Sequence, residues 1–238
     1  MGKANIPIFC FFAVCAVLLS VAMFMKYLIR NPAAPKIDSR KKHIVCIGDS
    51  ITYGSGVWWK RNTQSYPARL QELLGDEYQV LNYGLNARAL QKDSDEPYTR
   101  EKFYDISKNV DADVYIIMLG TNDSKPDNWN KENYEKELKD FVDVYKNANK
   151  NADIYLMQPP KAYPAKGKKK VKYGIDNSVI KNGIHSIVKS VAKETGVKVI
   201  DLYSVTKSTA VWTTDGIHGN EEGNRMFARY IYSCIFEK

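Results

Sequence analysis

The sequence holds only three histidines and four cysteines in 238 residues. Three histidines leave little room for a multi-histidine centre, and neither a metal nor a cofactor is expected. Four cysteines are too few for a dense disulfide framework. Cys10 and Cys15 fall in an apolar run, Cys46 in a strand-like run and Cys234 near the C-terminus, and all read as free thiols behaving as small hydrophobes. A composition of 44% hydrophobic and 26% charged residues excludes a disordered or collagen-like chain. A chain of this length can bury a full core without staples, in one domain or two.

The body of the chain also lacks a basic surplus, although the formal charge is +8. Residues 26–42 carry a net +5, and residues 161–172 carry six lysines and no acid. Without these stretches and Lys3 the remainder is mildly acidic, which argues against a nucleic-acid binder. Segment 161–172 reads as a solvated, flexible flap. Two further uses stay open for it: drawing in an anionic polymer, or contact with an anionic membrane surface.

Residues 6–25 hold no charge. As a helix they would span about 30 Å, the thickness of a bilayer core. They are expected to form an uncleaved transmembrane anchor after a short tail at 1–5, with a cleaved signal peptide as the rival reading. Residues 26–42 would be a basic polar tether. The positive-inside rule, applied to that flank, puts the rest of the chain in the cytoplasm. A signal anchor would export it instead.

From residue 43 to 238 the chain reads as one domain. HIVCIG (43–48), YQVLNYG (78–84), DVYIIMLG (113–120), DIYLMQ (153–158) and VKVIDLY (197–203) are short apolar runs without strict alternation, as parallel strands covered on both faces should be. Tyr134, Leu138, Phe141, Val142 and Tyr145 follow a helical spacing, repeated by Ile180, Ile184, Ile187, Val188 and Val191. The alternation predicts an α/β fold with a five-stranded parallel sheet and helices on both sides. Ligand sites in such folds lie beyond the carboxyl ends of the strands.

Four polar clusters follow predicted strands: Gly48-Asp49-Ser50, Asn82-Tyr83-Gly84, Gly120-Thr121-Asn122-Asp123 and Asp215-Gly216-Ile217-His218. Ser50 is a candidate nucleophile, His218 the base that would take its proton, and Asp215 the group that would fix the imidazole tautomer. The backbone N–H groups of Ser50 and Gly84 and the amide of Asn122 are candidate oxyanion donors. His43 and His185 read as scaffold. Trp58, Trp59, Tyr66, Trp129 and Tyr163 fall near the active edge, where they would either stack on sugar rings or cover the core. Trp58, Tyr66 and Trp129 are carried forward as candidate substrate contacts.

These four ordered blocks resemble those of the SGNH/GDSL hydrolases over about 43–236. The resemblance implies a flavodoxin-like three-layer α/β/α sandwich and a triad of Ser50, Asp215 and His218, with Ser50, Gly84 and Asn122 around the oxyanion. Ser65-Tyr66-Pro67 and the run from Asn122 to Trp129 are similar to the bacterial carbohydrate-esterase-like branch. That branch is often exported, so an extracellular catalytic domain is expected. Two departures stand out. Ala87 replaces a second glycine three positions after Gly84, and Gly219 replaces the usual proline after the base. The expected activity is removal of small acyl groups, acetyl above all, from a carbohydrate or similar small ester. An O-acyltransferase, a lysophospholipase or thioesterase, and a non-catalytic surface binding protein on the same fold are the alternatives. Oligomeric state is left open.

Overall fold

The structure, a computed structural model, describes residues 8–237. The expected tail at 1–5 and the start of the apolar run therefore lie outside the described residues. The chain divides into two units, residues 1–33 and 34–238.

The first unit is helix α1 (Ile8–Arg30). Its apolar side chains from Phe11 to Leu28 are exposed around the whole circumference. A helix with no polar face and no covered face matches a lipid-facing segment by length and composition. The helix continues past the expected end at residue 25, because Lys26 and Arg30 are good helix formers and Pro32 is the first residue that opposes it.

The second unit is built on five parallel strands: β1 (Lys42–Gly48), β2 (Tyr78–Gly84), β3 (Val114–Met118), β4 (Asp153–Gln158) and β5 (Lys198–Asp201). Their order is β2-β1-β3-β4-β5. β1 has no exposed residue beyond Lys42, as expected of a central strand covered on both faces. The helices that cover the sheet are α2 (Ser50–Tyr53), α3 (Tyr66–Leu74), α4 (Lys102–Lys108), α5 (Lys131–Ala148), α6 (His185–Thr195) and α7 (Glu221–Phe236). α3 packs with α7, while α5 packs with α4 and α6. The predicted helical stripes are the buried ones: Tyr134, Leu138, Phe141, Val142 and Tyr145 on α5, and Ile180 to Val191 on α6 and the π-helical turn before it. β5 stops before the expected Tyr203. Asp201 ends it by accepting the Ser204 N–H and capping a helical turn at Leu202–Thr206.

The core is rich in tyrosine, and three of its buried hydroxyls tie down backbone carbonyls. Tyr98 donates to Tyr83 O, Tyr115 to Val110 O, and Tyr134 to Leu119 O at 2.9 Å. The last of these pins the chain just beyond β3. His43 is buried at the opposite end of β1, its ring nitrogens 2.8 Å from Asp111 O and 3.0 Å from Asp38 O, consistent with a scaffold role. Cys15, Cys46 and Cys234 are free thiols.

The chain runs from β1 outward to β2, then returns past β1 to β3. That reversal opens a crevice between the carboxyl ends of β1 and β3. The register brings Gly48 level with both Gly84 and Met118 there. Gly84 is a packing glycine: a Cβ on it would lie 2.2 Å from Tyr53 N and 2.6 Å from Thr52 C, both backbone atoms of α2. Gly84→Ala is therefore expected to push α2 off the sheet and cost about 2–3 kcal/mol of stability, read as a lower urea midpoint at unchanged m-value.

Candidate active site

Ser50 is the first residue of α2, immediately after β1. Gly48 makes the tight exit feasible, since a Cβ there would sit 2.2 Å from Thr52 Oγ1 and 2.7 Å from Met118 O. Asp49 caps α2, its Oδ1 accepting the Ile51 N–H at 2.8 Å. The Ser50 N–H belongs to the first turn, where a helix offers it no internal partner.

His218 and Asp215 arrive from the far end of the sequence on one short turn. Ser50 Oγ lies 2.8 Å from His218 Nε2, and His218 Nδ1 lies 2.7 Å from Asp215 Oδ2. Asp215 Oδ1 accepts the backbone N–H groups of Ile217 and His218 at 3.0 and 2.9 Å. Burial opposes ionisation of Asp215. The His218 ring and those two N–H donors outweigh it and hold the carboxyl well below the usual carboxylate range. An ionised carboxylate on Nδ1 keeps the proton there and leaves Nε2 free to accept from Ser50.

Asn122 reaches the same place from the β3 side. Its Nδ2 gives one proton to Arg88 O at 3.0 Å and retains a second. Ser50, Asn122, Asp215 and His218 thus converge, as the sequence led one to expect. They border a cavity of about 370 Å3, which Ala87, Thr121, Lys125 and Tyr173 also line.

Gly84 is not among them. Its N–H is taken by Asn82 Oδ1 at 2.9 Å, and its Cα faces α2. The chain bends after β2, with Leu85 N donating to Gly48 O, and returns over the cavity at Ala87. Ala87 holds φ at +66°, a left-handed conformation uncommon outside glycine. Two buried side chains impose this path. The Asp123 carboxylate accepts the N–H groups of Leu90 and Gln91 at 2.8–3.0 Å. Arg88, 5% exposed, is clasped by Glu101 at 2.7 Å and donates to Asn86 O.

The three expected substrate aromatics do not line the cavity. Tyr66 is fully buried, its hydroxyl 3.1 Å from Thr52 Oγ1. Trp129 packs on Tyr134 and fills the space above Gly183. Trp58 is exposed and stacks edge-on with Trp59. Tyr163 also serves the frame: its hydroxyl donates to Thr206 O and its N–H to Gly216 O. The aromatic residue in the cavity wall is Tyr173, with its ring 6.4 Å from that of His218 and φ at +59°. It follows the lysine run, whose charge was the only signal read there. His185 stands apart from the cavity, edge-on to Tyr203.

A doubly wound parallel sheet with a Ser-His-Asp relay at its switch point is the framework of a serine acyl hydrolase. A sequence profile of the GDSL-like lipase/acylhydrolase family matches residues 46–226, and the chain belongs to that family. It is 34% identical over 231 residues to an acetylxylan esterase of Xylanibacter ruminicola, covering 87% of this chain and 45% of that protein. The chain thus spans just under half the length of that relative. Among solved structures, a carbohydrate acetylesterase family member from Sinorhizobium meliloti superposes with a TM-score of 0.64 at 21% identity, over 82% of this chain and 97% of that one. The native aryl esterase of M. smegmatis gives 0.57 at 20% identity, over 81% and 99%. At such identities the superpositions speak for the fold.

Two buried acids beside the site make stability depend on pH. Burial pushes both Asp49 and Asp123 up to about 6. The folded state then binds these protons more tightly than the unfolded chain. Stability is lost as pH rises from the unfolded carboxyl value of about 3.9 through about 6. Asp49→Asn keeps an oxygen for the Ile51 N–H and removes the ionisation. Relative to the wild type it should gain about 2 kcal/mol between pH 4 and pH 7. Urea unfolding at the two pH values reads the difference.

Proposed function

We propose that the protein is a serine esterase that removes small acyl groups, acetyl foremost, from a carbohydrate. The observation that carries this reading is the unbroken relay Ser50 Oγ, His218 Nε2, His218 Nδ1, Asp215 Oδ2 at the cavity floor. As Ser50 Oγ attacks the ester carbonyl, its proton passes to His218 Nε2, and Asp215 stabilises the imidazolium. The carbonyl oxygen becomes an oxyanion, held by the N–H of Ser50, the Nδ2–H of Asn122 and the N–H of Ala87 in the place first assigned to Gly84. Collapse expels the alcohol, which takes the proton from His218 and leaves acyl-Ser50. Water, deprotonated by His218, then releases the carboxylic acid and restores Ser50.

The size and lining of the cavity support a short acyl group. The space is modest and its wall mixes Ser55, Asn86 and Lys125 with Ile175 and Ile217. The resemblance to the acetylxylan esterase supports an acetylated sugar polymer. An O-acyltransferase would use the same acyl-Ser50 and differ only in whether water or a sugar hydroxyl receives the group. Turnover with and without a sugar acceptor separates the two.

Residues 6–25 are assigned as a membrane anchor, with 26–42 as tether and 43–238 as the catalytic domain outside the cell. The support is helix α1, which among the described residues is the one long and apolar enough to cross a bilayer, together with the sugar polymer proposed above as substrate, which is too large to enter a cell. A cleaved signal sequence passes the same test of length and composition.

Ser50→Ala should lower turnover of p-nitrophenyl acetate by at least about 10³-fold with an unchanged thermal midpoint. Asn122→Ala should lower kcat by about 10²-fold with little change in KM, because the oxyanion forms only after binding. In the wild type, kcat/KM should fall at least about tenfold from acetate to octanoate esters, which a chain-length panel reads. A rise with chain length would favour the lysophospholipase alternative. The full chain should resist carbonate extraction from membranes, and protease added to intact cells should digest the domain. Protection until lysis would place it in the cytoplasm.

A further inference from the structure

Lys166, Lys168, Lys169, Lys170 and Lys172 are all exposed, and their ammonium groups make no hydrogen bond or ion pair within the protein. No acid lies between residues 161 and 172. Some lysines elsewhere on this surface are paired with acids, among them Lys42 with Glu77, Lys60 with Glu221, Lys139 with Glu194 and Lys198 with Asp153. Five unpaired ammonium groups in one short loop repel each other, and an anion laid across them removes that cost.

The loop is fixed at both ends to the active site. At its start, Tyr163 N donates to Gly216 O at 2.8 Å, and Tyr163 O sits where any Cβ on Gly216 would stand, at 1.9 Å. Gly216 lies inside the Asp215–His218 turn. At its end, Tyr173 and Ile175 form part of the cavity wall. Lys172 adjoins Tyr173 in the chain, and the Lys170 Cα lies at most about 11 Å from the Tyr173 Cα. The Debye length is about 8 Å at physiological salt, so charge carried by Lys172 is only partly screened at the cavity wall. Lys125, in the wall itself, adds a cation that is shared with Asp95 at 3.0 Å.

We propose that the loop 161–172 selects a polyanionic glycan, holding the acidic groups of the polymer while an acyl ester on it enters the cavity. This rests on the esterase reading and names the substrate class for the same site. Tyr173, 67% exposed beside the cations, offers a flat ring to a sugar face. A glycan fits better than a lipid surface. Membrane-docking segments add apolar anchors to their charges, whereas the large exposed ring beside these lysines, Tyr173, is part of the cavity wall.

The test replaces Lys166, Lys168, Lys169 and Lys170 together by Gln in the full chain, held in neutral detergent. The substrates are acetylated polygalacturonate, acetylated xylan and p-nitrophenyl acetate. On the anionic polymer kcat/KM should fall at least about tenfold, through KM, while p-nitrophenyl acetate and xylan change by less than about twofold. Raising salt from about 50 to 500 mM should reproduce the loss in the wild type. An unchanged KM on polygalacturonate, or an equal loss on xylan, overturns the proposal. So does a variant whose only loss is its response to phosphatidylglycerol doped into the detergent micelles, which would make the loop a membrane contact. A wild type inert on p-nitrophenyl acetate would defeat the esterase reading instead. Retardation in a gel containing polygalacturonate, present in the wild type and lost in the variant, would then still decide what the loop binds.

Discussion

Two missing side chains hold the site together. At Gly48 and Gly84, neighbours in register at the carboxyl edge of the sheet, α2 comes so close that no Cβ fits, through the Thr52 side chain at Gly48 and through its backbone at Gly84. This contact seats α2 on the strands and sets the height of Ser50 above them. Asn82 reinforces it, donating to Thr52 O at the end of β2. The loop at Ala87, the cavity and the approach of His218 are all measured from that seat. The glycine at 84 is thus spent on packing, and the cavity is served by a residue further along.

The sheet and its helices were legible because their signals are local. Unalternating apolar runs gave all five strands, and a repeating stripe gave α5 and α6. The boundary of β5 was not, since the end is set by a capping aspartate inside an otherwise apolar run. Ser50, Asn122, Asp215 and His218 were legible for a related reason: Ser50 stands two residues past β1 and Asn122 four past β3, while Asp215 and His218 share one turn. Gly84 satisfied the same rule and still misled. What directs the chain from Gly84 to Ala87 is a pair of buried charges, Asp123 and Arg88, whose partners lie far away in sequence.

The aromatics failed differently. A tyrosine at a wall, in a core and on a rim has one composition and three fates. Tyr66 went to the core, Trp58 to the surface and Tyr173 to the cavity, and no periodicity separates them. Tyr173 was hidden further by the lysines before it, which drew attention to charge. Tyr163 anchors the other end of the same loop, donating its N–H to Gly216 O in the turn that carries His218.

The relay joins a contact three residues apart in sequence to one 168 residues apart. The first contact needs no tertiary structure, whereas the second closes a loop of 168 residues and is broken whenever the domain opens. The imidazole of His218 therefore reports on the folding of the whole domain from a pair that is itself local. Helix α7, capped by Asn220 two residues after His218, ties that turn to α3, where its Asn224 accepts the Tyr66 N–H at 2.8 Å.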